Sequence, residues 1–446
     1  MKALRSCLAA VAAAAMACSL AACGGGQADA GRNPDGTISI SLAGWTLATR
    51  PEFQALADAY HQAHPDVTVE LKEYSADDYD KQLIADLSAG KAPDVFPMKN
   101  LRMYYTYAEP GALADLSDVA AAYRGDDALR GLDDYTIDGK TYALPYRQDV
   151  WVLFYNRTML AKAGVDAPDG TWTWQDYRNV CARLKRALPE AGYADAYPTY
   201  HHTSWQSMPQ GIALAQQDRG EAREVFLSGD YTYLKPMYRL LLDMQDQGLT
   251  LPYNTVSSSK TTYQSQFGTQ KAALLPMATW YLGPLADQQR SGDADRFDWA
   301  IAPLPQRTRA DTAHPKSFGD PTGFAISGTI GGERLAVAKD FVRWAASEDG
   351  ALALARTGTL PAYFSDTVLD AFFSRSGLPQ DAMSRRAITG SAISPENPVG
   401  EATQTIQDEL NIAHTSILSE TKPLDAALAS AAKAINGSGL LPGRQE

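Results

Sequence analysis

The stretch Gly139–Asn156, GKTYALPYRQDVWVLFYN, decides how the rest of this chain is read. Tyr142–Pro145 has the pattern of a short strand closed by a proline, and Val150–Tyr155 is a longer apolar run. That run is rich in Val, Trp, Phe and Tyr and holds no Gly or Pro, which is the composition of a core strand. Between the two stand Arg147, Gln148 and Asp149. Three polar side chains would pack poorly inside one sheet, but they suit a place where the chain leaves one domain and enters another. The stretch therefore predicts a domain crossing, with Asp149 facing the cleft between the domains.

Working outward, 446 residues suffice for two ordinary domains, and the apolar and charged fractions are those of a globular protein. The formal net charge is −12 and no Lys/Arg-rich run is present, which argues against a nucleic-acid partner. Lys2 and Arg5 precede an alanine-rich apolar run, Leu8–Ala22, with the layout of a secretory signal and too little apolar length for a spanning helix. It ends in Leu20-Ala21-Ala22-Cys23 followed by three glycines, which resembles the bacterial lipobox. Residues 1–22 are then a lipoprotein signal peptide, Cys23 is lipidated, and 23–35 form a flexible tether rich in Gly, Asp, Asn and Pro. Loss of Lys2 and Arg5 takes the charge from −12 to −14, and only Cys23 and Cys181 are left, so no intrachain disulfide is expected. Cys181, in a helical pattern with Val180 and Leu184, reads as a buried inert thiol.

Beyond the tether, Ile38–Leu42 alternates like a strand, and Thr49 with Glu52 has the spacing of a capping box ahead of a helix carrying Phe53, Leu56 and Tyr60. Val67, Val69 and Leu71 mark a second strand, Tyr79, Leu83 and Leu87 a second helix, and Pro93–Phe96 a third strand. Strands alternating with helices of these lengths call for a mainly parallel α/β sheet covered by helices on both faces. The loops Tyr193–Gly211 and Gln306–Pro321 are too rich in Gly, Pro, Asp and Thr to read as strands and are expected to rim the cleft.

Several segments carry a resemblance. PDVF at Pro93–Phe96, YAEPGALADLSD at Tyr107–Asp118, DGKTYALPY at Asp138–Tyr146 and FYNRTMLAKAGV at Phe154–Val165 are similar to the family 1 extracellular solute-binding proteins, the sugar receptors of bacterial ABC importers. TWTWQDY at Thr171–Tyr177, FGTQKAALLPMATWYLGPL at Phe267–Leu285, GFAIS at Gly323–Ser327 and WAASEDGALALA at Trp344–Ala355 continue it in the family's order. The resemblance implies a two-lobe α/β fold of the type II periplasmic-binding-protein class with the ligand cleft at the hinge. It implies three crossings, expected near Tyr146–Asp149, after Phe297–Ala302 at Pro303 and Pro305, and around Ser347. Lobe one is then 36–147 plus 303–347, and lobe two 148–302 plus 348–446.

A sugar needs planar polar side chains for its hydroxyls and aromatic rings for its C–H faces. Trp280-Tyr281 follows the strand-like Ala272–Met277 and matches the family's stacking tryptophan, Trp45 stands where the family's first binding loop begins, and Trp205 lies in a polar loop of lobe two. Asp149 matches the carboxylate of the family's first crossing, and Arg147 either donates to the same sugar ring or holds Asp149. Lys99 and Asn100 occupy the loop after PDVF, where the family often carries an aspartate, and Gly319 and Asp320 precede the GFAIS strand as candidates for the cleft wall. Asp94 reads as structural.

Catalytic and metal chemistry finds little support. His61 and His64 are three apart, but no H-E-x-x-H or Cys/His spacing accompanies them, and no G-x-S-x-G, P-loop or G-x-G-x-x-G follows a strand. The reading is a monomeric, lipid-anchored receptor on the outer face of the bacterial cell membrane. It needs no cofactor or metal, binds a carbohydrate, in particular an oligosaccharide, and hands it to an ABC permease. Two alternatives stay open: a receptor of the same fold for a cationic ligand such as a polyamine or peptide, and a surface-anchored carbohydrate-active enzyme with two cleft carboxylates.

Overall fold

The computed structural model describes residues 32–108 and 111–442. The leader and Cys23 lie outside the described residues. In chain order the strands of the two principal sheets are β1 (Ile38–Trp45), β2 (Val67–Tyr74), β3 (Val95–Pro97), β4 (Ala143–Gln148), β5 (Trp151–Asn156), β6 (Tyr197–Thr199), β7 (Ala272–Ala278), β8 (Trp299–Ala302) and β9 (Pro321–Ile326).

One sheet has the order β2-β1-β3-β9-β4 and the other β8-β5-β7-β6. β1 runs parallel to β2 and β3, whereas β9 is antiparallel to both its neighbours. In the second sheet β5 is antiparallel to β7 and β8, and β6 is parallel to β7. Each sheet is thus parallel except for one strand, and in each case the exception is the strand entered directly from the other sheet. β5 follows β4 after only two residues, Asp149 and Val150. The apolar run of β5 is buried throughout, as a strand covered on both faces requires. β2, at an edge, keeps an alternating exposed face.

Each sheet organises its own core. Ile40, Leu42, Phe96, Leu144 and Phe324 belong to the first, and Trp151, Phe154, Leu275 and Ile301 to the second. Helix Trp174–Ala187 starts on a capping box between Thr173 and Asp176, and buried Cys181 packs beneath β5 and β7 with Leu153 and Leu274. The box expected at Thr49–Glu52 does not form. The helix Glu52–Ala63 starts after Pro51 without a side-chain cap, because the Glu52 carboxylate is drawn inward to Arg147.

The segment expected to open the second crossing stays with the second core. Leu304 and Phe318 are buried in the second core, and the chain returns to the first sheet only at Gly319–Asp320, where β9 begins. Within the expected loops, Tyr197–Thr199 is a strand at the sheet edge, where Pro198 is tolerated, Ser207–Ala215 is a helix, and Lys316–Phe318 pairs with Ala392–Ser394. Helix Glu348–Ala355 belongs to neither side alone: Ala351 and Ala355 enter the second core, and Ala353 and Leu354 the first. Leu360–Ala362 then runs beside Tyr146–Gln148, joined by Gln148 N–H to Leu360 O at 3.2 Å and Ala362 N–H to Tyr146 O at 3.0 Å.

Candidate functional site

A cavity of about 590 Å³ lies between the two sheets at the crossings. This is the size of a typical small-molecule site, about 300–1,000 Å³. From the first side it is lined by Trp45, Arg50, Asp77, Lys99, Asn100 and Arg102. The crossings contribute Arg147, Asp149, Asp320 and Thr322, and the second side contributes Trp151, Trp205, Ser207, Tyr263, Trp280, Glu396, Asn397 and Asn411. Among the described residues, no group of His, Cys, Asp and Glu is arranged to hold a metal ion.

Asp149 is buried where the first crossing meets β7. Its Oδ1 accepts from Thr279 Oγ1 at 3.2 Å, and Arg147 Nε stands 3.7 Å from Oδ2. Burial raises the Asp149 pKa, Arg147 opposes that, and Glu52 adds to it. With one close donor, the carboxylate keeps room for further ones. Arg147 is engaged elsewhere: Nη1 donates to both Glu52 oxygens at 3.0 and 3.2 Å, and Nε donates to Thr322 Oγ1 at 3.0 Å. Burial works against its charge, but Glu52, Tyr146 and Asp149 outweigh it and keep the guanidinium protonated. Of the two roles open to Arg147, holding the crossing is the one its bonds describe.

The aromatic wall is Trp205, Trp280 and Tyr263. Trp205 is 43% exposed and meets Trp280 at 6.4 Å and His202 edge-on at 4.4 Å. Trp280 is half-buried and edge-on to Trp151 at 5.6 Å. Trp45 reaches the cavity but is 3% exposed, held edge-on by Phe53 and Tyr79 at 5.0 and 5.3 Å. The Lys99 ammonium, which donates to Ala76 O, lies 5.3 Å over the Trp45 ring, and burial lowers its pKa. Asn100 is bonded to Asp80.

Tyr281 and Gly319 are the expected residues that the cavity does not include. Thr279–Tyr281 is a single 3₁₀ turn, so adjacent side chains diverge: Trp280 faces the cavity while Tyr281 is fully buried in the second core, edge-on to Tyr263 at 4.8 Å.

Asp320 lines the cavity but is already satisfied, accepting from the Glu396 and Asn397 backbone N–H groups at 2.7 and 3.1 Å and from Asn397 Nδ2. Burial pushes both the Asp320 and the Glu396 carboxyls up, and the proximity of Asp320 adds to the effect on Glu396. Glu396 and Asn397 sit in a loop pinned by Pro395 and Pro398, and Asn411 on helix Thr403–Leu418, more than a hundred residues from Trp280 in sequence. Sequence reasoning passed over all three. The paired prolines around an acid and an amide were the available signal.

The model of the family described as bacterial extracellular solute-binding protein matches residues 45–352. The chain belongs to this family. Among solved structures, one described as a sugar transporter of Rhizobium etli in an open conformation superposes with a TM-score of 0.76 at 27% identity, covering 90% of this chain and 99% of that one. The GacH receptor of Streptomyces glaucescens, studied without ligand and with acarbose, shares the fold, with a TM-score of 0.69 at 19% identity over 91% and 99% of the two chains. Among curated relatives, an uncharacterized lipoprotein of Streptomyces antibioticus is 26% identical over 62% of this chain and 60% of its own length. The diacetylchitobiose-binding protein DasA of Streptomyces coelicolor is 32% identical over 36% of this chain and 39% of its own. The match thus spans about three fifths or less of the length of these curated relatives. Among the described residues, no helix of this solute-binding protein is long and apolar enough to cross a membrane.

Proposed function

We propose that this solute-binding protein captures a carbohydrate, in particular an oligosaccharide, in the cleft between its lobes and delivers it to the permease of an ABC importer. One observation carries the reading: Trp205 and Trp280 line the same cavity as Asp149, a carboxylate with unused acceptor positions. Aromatic faces against planar polar edges match a sugar's C–H patches and hydroxyls. Similarity to a sugar transporter and to a diacetylchitobiose-binding protein lends support.

In this reading the lobes follow the two cores, and the hinge comprises Gln148–Val150, Gly319–Asp320 and the segment 348–362. A sugar held by one lobe gains contacts with the other, and that difference in affinity shifts the hinge toward closure. The protein acts as a monomer and carries out no chemistry of its own. Acyl chains on Cys23 hold it at the outer face of the cell membrane, and more than one chain suffices for stable anchoring.

A second reading is a receptor for a cation such as a polyamine, and the convergence of Asp149, Asp320 and Glu396 on one cavity favours it. A thermal-shift screen of malto-, cello-, xylo- and chito-oligosaccharides against spermidine separates the two. A ligand at 100 times its Kd adds about 2.7 kcal/mol to stability. A shift with one sugar class is expected; silence across the sugars with a response to spermidine overturns the carbohydrate reading.

A further inference from the structure

Trp151 opens β5 in the run whose composition marks it as core, and its ring is 1% exposed, stacked on Phe318 at 5.0 Å and edge-on to Trp280 at 5.6 Å. It also lines the cavity between the lobes. Its indole Nε1–H is buried and has no acceptor among the described residues. Other buried polar atoms share that condition, including the hydroxyls of Tyr146 and Tyr281, but none of them belongs to a residue lining this cavity. A buried donor is expected to have a partner, and an indole N–H can only donate, so the partner must be an acceptor.

Asp149 lies two residues before Trp151, and both line the cavity, as residues two apart on an extended chain do when they share a face. Among the described residues, the Asp149 carboxylate accepts from Thr279 alone at hydrogen-bonding distance. The pair therefore offers one donor and at least one acceptor to whatever occupies the cleft floor. A hydroxyl satisfies both, accepting from one and donating to the other. An ammonium group has three donors and no acceptor, and would leave the indole unsatisfied.

We propose that Trp151 is a ligand-binding residue, its Nε1–H donating to a hydroxyl oxygen of the bound sugar whose own hydrogen is accepted by Asp149. The inference rests on the carbohydrate reading and sharpens it: Trp151 selects a hydroxyl over an amine at the cleft floor.

The test uses the purified full chain with ¹⁵N-labelled indoles, the same four oligosaccharide series, and spermidine. Calorimetry identifies which sugar binds. That sugar is expected to move the Trp151 indole N–H resonance, assigned by its loss in Trp151→Phe, and folded Trp151→Phe is expected to bind it about tenfold more weakly, the effect of one lost hydrogen bond. A sugar that binds wild type and Trp151→Phe alike and leaves the resonance unmoved overturns the role of Trp151 while the carbohydrate reading stands. No heat from any sugar overturns both. Should Trp151→Phe fail to fold, a sugar-bound wild type compared with free protein decides the matter, and indole resonances that all stay in place count against the proposal.

Discussion

Gly319 and Asp149 pass each other so closely that a β-carbon on the glycine would stand 1.9 Å from the aspartate carbonyl oxygen. The first and second crossings are therefore in backbone contact. Gln148 ties them together, its Nε2 donating to Asp149 O at 2.9 Å and to Gly319 O at 3.0 Å. Because the obstruction is backbone, it cannot be relieved by turning a side chain. Gly319→Ala is expected to destabilise the protein by about 1–3 kcal/mol, the usual cost of overpacking. Urea unfolding measures this, and an unchanged midpoint would show that the crossings can part freely.

Asp149 and Trp280 are expected to matter for ligand and little for folding. Arg147 keeps two bonds to Glu52 and one to Thr322 when Asp149 is removed, so no buried cation is stranded. Asp149→Ala and Trp280→Ala should each weaken sugar binding at least tenfold, since a hydrogen bond to a charged group is worth about 1.5–3 kcal/mol and a stacked ring is comparable. Titration calorimetry returning wild-type affinity for both would remove them from the site.

Tyr281 should behave in the opposite way to its neighbour. Its hydroxyl is buried with no hydrogen-bond partner among the described residues, so Tyr281→Phe removes an unsatisfied group rather than a contact. Unchanged affinity and an equal or higher Tm are expected. Weakened binding would return Tyr281 to the cleft.

The Asp320–Glu396 pair gives a pH dependence of stability. Burial raises both carboxyls in the folded state, so the folded protein retains protons that the unfolded chain releases above about pH 4. The stabilisation is complete below the ordinary carboxylate range and is lost as pH rises through the raised values. Glu396→Gln stays neutral throughout, and its Tm should fall less between pH 5 and about 8 than that of wild type. Parallel curves would mean that Glu396 titrates alike in the folded protein and the unfolded chain.

Three histidines act in the other direction. Burial pushes His201 down to about 3 and His202 and His414 down to about 4. His414 is fixed by Tyr238 at Nδ1 and by Thr203 O, 2.8 Å from Nε2. The unfolded chain takes up protons at these residues below about pH 6.5 while the folded protein does not, so stability falls as the solution is acidified toward pH 4. Replacing His414 by Gln should flatten that acid limb by one proton, read from the slope of unfolding free energy against pH.

What could be read from the sequence followed local signals. The apolar run of β5 and the polar triplet before it located the first crossing, because strand composition and its interruption are both contiguous. Trp205, Trp280 and Asp149, which line the cavity, could be picked out for the same reason, each lying beside a recognisable element. Residues 303–318 were misplaced because Pro303 and Pro305 were taken as punctuation, whereas Leu304 and Phe318 anchor the segment to the second core. Glu52 kept the spacing of a capping box, but no local pattern shows that Arg147, 95 residues on, claims its carboxylate. Glu396, Asn397 and Asn411 reach the cleft only through the third crossing, and Trp151 was hidden by its own apolar surroundings.

Helix Glu348–Ala355 touches the two cores through faces in which alanines outnumber long side chains: Ala351 and Ala355 toward one, Ala353 with the single fully buried long side chain, Leu354, toward the other. Long side chains on such faces would interlock like gear teeth and hold the lobes at a few fixed angles. Methyl groups interlock shallowly, so the helix resembles a roller bearing, able to turn by small increments between two surfaces without losing contact with either. Load would pass through the roller while the angle changes, and the resistance to that motion is set largely by alanines and by Leu354 rather than by the residues that meet the ligand.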